Sequence, residues 1–468
     1  MKSIFTFLAL LLLATLHAAT PAKPNIIFIL ADDLGIGNLG CYGSDHYKSP
    51  NLDKLAATGT RFSQFFTGAL CGPSRALIMT GRYAFRNGSS NQDACMVMPK
   101  TELQLGHVFK SAGYATSFIG KWGQLPGDPD TAGFDDYLRF NGSGVYWNQK
   151  AGKAEAYRVN GKELKLGDKE YMPDLMHARI TEFLRANQEK PFFLFYSMAK
   201  LIAELEALKI RDHTLIVFMG DNGTGKAQNP LSTIHGRSLS GMKGSMLECG
   251  GLVPFIVNWP GKTPAGKVSA DLMDASDLLP TFAELTGGRM PGKTIFDGHS
   301  IVPQLRGELG TKREWIYNQL AAMWYVREAH WKLNEKGELF DMSDAPFTEK
   351  LIDAADDTDA SKAARDRLTA VLAKLNPAGG IPDSGDGTGR HANKEKTTEP
   401  AKPGEALDPT AERAAKFDRL DKARTGKLTR DDYTANQSDA VAAAGRFEKM
   451  DTNQDGIVTR EEYIRNGK

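Results

Sequence analysis

Asn25-Ile26-Ile27-Phe28-Ile29-Leu30-Ala31-Asp32-Asp33 is an unbroken apolar run that ends in two carboxylates. A strand with one wet face alternates polar and apolar residues. A continuous run predicts a strand buried on both faces, as in the middle of a parallel sheet, with polar groups at its carboxyl end. Pro191 to Met198 (P-F-F-L-F-Y-S-M) and Thr214 to Met219, followed by Gly220-Asp221-Asn222-Gly223, repeat the pattern. Helical signals fall at Leu52 to Thr58, Asp174 to Asn187 and Leu201 to Leu208. Buried strands alternating with helices predict an α/β layered fold, a mostly parallel sheet sandwiched by helices, in which ligands sit at the carboxyl ends of strands.

Outward from this core, the pattern changes at residue 311. Short strand-like pieces (Trp315 to Tyr317, Trp324 to Arg327, Trp331 to Leu333) precede a helix near Ser361 to Leu375, so 311–376 is expected to be a small α+β subdomain closing the 24–310 domain. Residues 377–410 are rich in Pro, Gly, Asp, Lys and Thr and poor in large apolar groups, which predicts a flexible linker before a separate all-α module at 411–468. At the other end, Lys2, the apolar run Ile4 to Leu13 and the small pair Ala18-Ala19 have the layout of a signal peptide over 1–19, too short to span a membrane. The mature chain is therefore expected to be exported, periplasmic or extracellular.

The 58 Lys and Arg nearly cancel the 57 Asp and Glu, which leaves no long-range field to gather nucleic acid or anionic lipid. Any attraction for an anionic substrate must be local. Four cysteines (Cys41, Cys71, Cys95, Cys249) are too few for a disulfide framework, and if Cys71 serves chemistry at most one bridge can form.

The tail carries the most specific spacing. In Asp451-Thr452-Asn453-Gln454-Asp455-Gly456-Ile457-Val458-Thr459-Arg460-Glu461-Glu462, oxygen ligands fall where an EF-hand calcium loop needs them: Asp451, Asn453 and Asp455, the Ile457 carbonyl, Thr459, and a closing Glu462, with Gly456 at the sharp turn. Asp421 to Asp432 repeats the frame with Gly426 and Leu428, but has Ala423 and Thr425 at ligand positions and the shorter Asp432 at the end. The expectation is an EF-hand pair in which the second loop binds Ca²⁺ and the first is weak or empty.

Cys71 to Arg82 is C-G-P-S-R-A-L-I-M-T-G-R. Pro73 suits a first helical turn, whose free N–H groups favour an anion and would lower a thiol's pKa. A small buried cysteine at a helix start is the plainer alternative.

Cys71-Gly72-Pro73-Ser74-Arg75 with Thr80-Gly81-Arg82 resembles the signature of type I sulfatases, in which the cysteine is oxidised to formylglycine by a maturation enzyme. Further landmarks of that family follow in order: Pro24-Asn25 through Asp32-Asp33, Gly120-Lys121-Trp122, Asp221-Asn222-Gly223, and Gly241-Met242-Lys243-Gly244 with Val253-Pro254-Phe255-Ile256. The resemblance spans about residues 24 to 345 and implies an alkaline-phosphatase-like fold. It implies that Asp32, Asp33, Asp221 and Asn222 hold Ca²⁺ together with modified Cys71, that the hydrated aldehyde attacks sulfur to give a sulfated enzyme, and that loss of a proton from its second hydroxyl expels sulfate. Ca²⁺ would act on the sulfate oxygens, Arg75 would orient the diol, and Lys121 and Lys243 would offset charge on the equatorial and bridging oxygens.

Two departures stand against this pattern. Gly123 occupies a position where many sulfatases have His. After the strand ending at Met198, family members enter a loop with a histidine thought to protonate the leaving oxygen, whereas here Met198-Ala199 runs directly into Lys200-Leu201-Ile202-Ala203-Glu204. Strand-to-helix loops commonly have about 2 to 6 residues and carry the site, so a segment is expected to be missing, with a general acid worth about 10²- to 10⁴-fold in rate. His235 is a substitute in principle, though a plain loop role suits it better. The leading expectation is a sulfuric ester hydrolase acting on sulfated carbohydrates. The alternatives are a calcium-dependent, non-catalytic binder of sulfated glycans and a phosphate or phosphonate ester hydrolase.

Overall fold

The computed structural model describes residues 23–140, 146–147, 156–196, 202–391, 417, 420–421, 425–434 and 440–466. The signal segment at 1–19, the junction at 197–201, residues 392–416 and Ala423 lie outside the described residues. No helix among the described residues is long and apolar enough to cross a membrane.

Ten strands make one sheet: β1 (Asn25–Ala31), β2 (Thr60–Phe62), β3 (Ala115–Lys121), β4 (Asp136–Phe140), β5 (Ala156–Val159), β6 (Lys162–Lys165), β7 (Phe192–Tyr196), β8 (Thr214–Gly220), β9 (Phe255–Asn258) and β10 (Lys267–Ser269). Their order is β10-β2-β9-β8-β1-β7-β3-β4-β5-β6. The central strands β8, β1, β7, β3 and β4 are parallel neighbours, as the apolar runs predict. The mostly parallel sheet is corrected to a mixed one at its flanks, because β9 runs antiparallel to β8 and β2, and β5 and β6 form an antiparallel hairpin on β4. That hairpin turns on Asn160 and Gly161, both at positive φ, a pair that matches strand twist in a two-residue loop.

Burial on both faces follows from alternation along β1. Ile26, Phe28 and Leu30 join one core; Ile27 and Ile29 join the other. On the first face lie α2 (Cys71–Thr80), α3 (Leu105–Ser111), α5 (Leu278–Thr286) and α6 (Asp359–Leu375); on the second lie α1 (Pro50–Ala57) and α4 (Met172–Ala186). Phe109 stacks on Phe193 with ring centroids 3.6 Å apart, and Phe28 meets Phe195 edge-on at 4.9 Å. Each such buried side chain contributes about 1.5–3 kcal/mol, which fixes the sheet and hence the strand ends that carry the acidic residues.

Strands β11 (Ile316–Leu320), β12 (Met323–Arg327), β13 (Trp331–Asn334), β14 (Leu339–Asp341) and β15 (Lys350–Ile352) form an antiparallel meander. Helix α6 packs Ala364 and Leu368 into the same core. Asn318 Nδ2 donates to the Thr67 carbonyl at 2.9 Å, tying the meander to the segment that leads into Cys71.

The flexible linker expected from residue 377 is corrected for 377–391. The Ile381 N–H donates to the Phe85 carbonyl at 2.7 Å, and Asp383 Oδ1 accepts from Ser90 Oγ and Asn91 Nδ2, each at 2.6 Å. Polar side chains anchor this stretch where apolar ones are lacking, which composition alone does not reveal.

Two compact units divide the chain near residue 394. In the second, β16 (Lys427–Thr429) pairs antiparallel with β17 (Ile457–Thr459), beside α7 (Ala440–Met450) and α8 (Arg460–Asn466). Its core holds Phe417, Leu428, Phe447, Val458 and Tyr463. The unit expected to be all-α therefore carries a two-stranded ladder between its loops.

Candidate active site

Three parallel strands and one helix deliver the site. Asp32 and Asp33 follow β1, Asp221 and Asn222 follow β8, Lys121 is the last residue of β3, and Cys71 opens α2 with Arg75 one turn on. Asp221 is locked to β1: its N–H donates to the Ala31 carbonyl at 2.9 Å, and its Oδ1 accepts from the Asp33 N–H at 3.0 Å. Gly223 has to be glycine, since a Cβ there would sit 1.9 Å from the Cys249 carbonyl oxygen.

Asp32, Asp33, Cys71 and Asp221 each offer a ligand atom, all within 4.8 Å of one another. Three cations face these carboxylates. Arg75 Nη2 donates to Asp221 Oδ2 at 2.9 Å while its Nη1 donates to the Lys121 carbonyl at 2.8 Å. Lys121 Nζ donates to Asp32 Oδ1 at 2.7 Å and lies 3.4 Å from Cys71 Sγ. Lys243 Nζ donates to Asp33 Oδ2 at 2.7 Å. The cluster is thus near neutral before any ion or substrate arrives.

Burial pushes the Asp221 carboxyl up, reinforced by the Asp32 charge, against the pull of Arg75 and Lys121. Burial also opposes ionisation of Asp32, but Arg75 and Lys121 together hold it well below the usual carboxylate range. Burial lowers the Lys243 ammonium while the surrounding anions raise it further, so it stays charged. The Cys71 thiol is pushed up to about 12, first by burial and then by the Asp221 and Asp32 charges. The expectation that the helix N-terminus would lower this pKa is corrected: burial of the thiol, with the Asp221 and Asp32 carboxylates at close range, outweighs the partial charge of one helix end.

Asn222 is fully buried, and its Nδ2 donates to Asp33 Oδ1 at 3.1 Å and to the Gly223 carbonyl at 2.8 Å. Its Oδ1 is buried without a partner. An orphan amide oxygen costs about 1–3 kcal/mol, and beside converging carboxylates it completes an oxygen set suited to a hard cation.

Gly123 sits at φ +76, and a Cβ there would press to 3.1 Å from Arg75 Cδ, so the glycine keeps the guanidinium in place. His235, exposed in a hairpin turn with φ 52, has no hydrogen bond or ion pair to the site among the described residues. All four cysteines are free. Two contributors had no signal in sequence. Gln92 Oε1 accepts from the Gly72 N–H at 2.6 Å, covering the first turn of α2. Glu349 Oε1 accepts from Ser240 Oγ at 3.3 Å, and Glu349 also pairs with Lys332, bracing the loop that carries Lys243.

In the tail, Asp451 Oδ2 accepts from the Gly456 N–H at 2.9 Å and Glu462 Oε2 from the Thr459 N–H at 3.0 Å, so backbone groups hold the carboxylates at the two ends of the loop.

Sheet and site define an alkaline-phosphatase-like α/β protein. The family model described as Sulfatase matches residues 24–200 and 196–288, more than half of the chain, in two pieces that meet where the sequence departs from the family pattern. The chain belongs to the sulfatase family, the sulfuric ester hydrolases. It is 30% identical over 363 residues to N-acetylgalactosamine-6-sulfatase of Canis lupus familiaris, covering 64% of this chain and 69% of that protein. To steryl-sulfatase of Mus musculus it is 27% identical over 440 residues, covering 67% and 70%. The solved structure of Ps i-CgsB superposes with a TM-score of 0.64 at 28% identity, over 76% of this chain and 92% of that one. A second structure, Ps i-CgsB in complex with k-i-k-neocarrahexaose, gives 0.62.

Proposed function

We propose that the protein is an exported sulfatase of sulfated carbohydrates, working through a formylglycine made from Cys71 and a calcium ion held by Asp32, Asp33, Asp221 and Asn222. The observation that carries this reading is Lys121 Nζ standing 3.4 Å from Cys71 Sγ and 2.7 Å from Asp32 Oδ1. It couples the position of a nucleophile to the position of a cation. The buried oxygens around the orphan Asn222 Oδ1 support a hard ion, and bound Ca²⁺ would supply positive charge to an incoming sulfate.

Within this reading, the hydrated aldehyde at residue 71 supplies the attacking oxygen. Arg75, fixed on Asp221 and the Lys121 carbonyl, orients residue 71 from one helical turn away. Lys121 offsets charge beside that oxygen, and Lys243 does so from the Asp33 side. Each developing charge meets a cation already in place, so little reorganisation is needed during reaction. His235, exposed and without a contact to the site among the described residues, is given no proton-transfer role.

A carbohydrate substrate is supported by the relatives, one named for N-acetylgalactosamine-6-sulfate chemistry and another crystallised with a neocarrahexaose. The second unit is proposed as an EF-hand pair in which Asp451, Asn453, Asp455, Ile457, Thr459 and Glu462 hold a further calcium. Parallel assays on an aryl sulfate, an aryl phosphate and sulfated oligosaccharides test the assignment: sulfate release at least tenfold above phosphate release is expected. Preferential phosphate release, or glycan binding without turnover in matured protein, would overturn it.

A further inference from the structure

Resting on the sulfatase reading, we infer that Arg390 is a second anion-binding point beside the catalytic cluster, and that the preferred substrate carries a further sulfate or carboxylate near the scissile ester. The stretch that delivers Arg390 is pinned at several places. Asp383 is held by the buried Ser90 and Asn91, and the Gln92 N–H donates to the Gly389 carbonyl at 3.0 Å. Gln92 is the same residue whose side chain caps Gly72 beside Cys71. Gly389 sits at φ +74, where a Cβ would be 2.5 Å from Leu320 Cδ1, so the loop approaches the C-terminal meander more closely than any other residue type allows. The Asp386 N–H donates to the His391 carbonyl at 2.8 Å and closes the loop.

This anchoring sets the guanidinium against the active-site loop. Arg390 Nη2 is 3.9 Å from where a Cβ on Gly244 would lie. Gly244 follows Lys243, and its N–H donates to the Ala69 carbonyl at 2.7 Å, two residues before Cys71. Arg390 therefore borders the segment that carries Lys243, which is itself hydrogen-bonded to the segment leading into Cys71. It is exposed, and among the described residues its side chain has no hydrogen bond or ion pair, whereas Lys121, Lys243 and Arg75 are each paired to a carboxylate. A planar guanidinium without a partner among the described residues, carried by an anchored loop, is free to take a bidentate sulfate or carboxylate.

The test uses the full chain with three substrates: 4-nitrophenyl sulfate, a disaccharide bearing two sulfates, and one bearing a sulfate and a uronic carboxylate. Arg390→Ala should lower kcat/KM on a dianionic disaccharide about ten- to hundredfold more than on the aryl sulfate. The loss should fall mainly in KM, and Arg390→Lys should recover part of it. The disaccharide that loses more identifies the second anion. Equal effects on all three substrates would overturn the inference. Calorimetry on Cys71→Ala protein, which needs no maturation, separates the two readings. Disaccharide binding that depends on Arg390, without turnover by matured wild-type protein, would refute the sulfatase reading and keep this one; absent or Arg390-independent binding would refute this one.

Discussion

Arg75 and Asp221 form an ion pair of 2.9 Å in which both side chains are almost wholly excluded from solvent. The pair joins α2 to the end of β8, and the second guanidinium nitrogen reaches the Lys121 carbonyl at the end of β3. One side chain thus sets the relative position of the start of α2, Asp221 and Lys121.

Replacing that fork with a single ammonium should be costly. Arg75→Lys cannot serve Asp221 and the Lys121 carbonyl together, so kcat should fall roughly a hundredfold or more. Arg75→Ala leaves Asp221 buried without its partner and should destabilise by about 3–5 kcal/mol. Steady-state kinetics and urea unfolding measure the two effects; unchanged kcat in Arg75→Lys would contradict the role.

The unmodified thiol at residue 71 should be inert. Its pKa is raised to about 12, so in calcium-free, unmodified protein the thiolate is scarce at pH 8 and grows only as pH climbs toward that value. Alkylation of folded protein at pH 8 should be roughly a thousandfold slower than of a free thiol. Peptide-resolved iodoacetamide labelling checks this, and fast labelling at Cys71 would contradict it.

Calcium should stabilise both units. Saturation at about a hundred times Kd adds ~2.7 kcal/mol to a unit that binds only when folded. Chelation should lower the melting temperature and abolish turnover, with both restored by Ca²⁺. Glu462→Gln should remove one calorimetric site while sulfate release survives. Loss of turnover without loss of a site would count against separate sites.

Gly223→Ala tests the close approach behind the Asp221-Asn222 turn. With the Cys249 carbonyl 1.9 Å from the added Cβ, the backbone must shift. A stability loss of about 1–3 kcal/mol should come with reduced calcium affinity, read by thermal unfolding with and without Ca²⁺.

The parallel centre of the sheet was legible because Asn25–Ala31 and Thr214–Gly220 are buried on both faces and written as apolar runs. The resemblance to the sulfatase signature made Asp32, Asp33, Asp221 and Asn222 candidates, and their place at the ends of those strands agrees with it. Strands β4, β5 and β6 escaped because D-Y-L-R-F and the surface hairpin after it mix polar and apolar residues. The packing of 381–391 escaped for a different reason: Asp383 and Gly389 find partners almost three hundred residues away in the chain, and polar long-range contacts leave no local period. The raised pKa of Cys71 is not legible in the sequence, because the helix start is visible there but the depth at which the thiol is buried, and its distance from Asp221 and Asp32, are not.

Peptide mass spectrometry of residue 71 tests the central claim most directly. Protein made in a host with the maturation enzyme should carry the aldehyde or its hydrate at that position, and the fraction converted should scale with aryl sulfate turnover, which Cys71→Ala abolishes. An unmodified thiol in protein that still releases sulfate, or full conversion without sulfate release from any ester, would contradict the account.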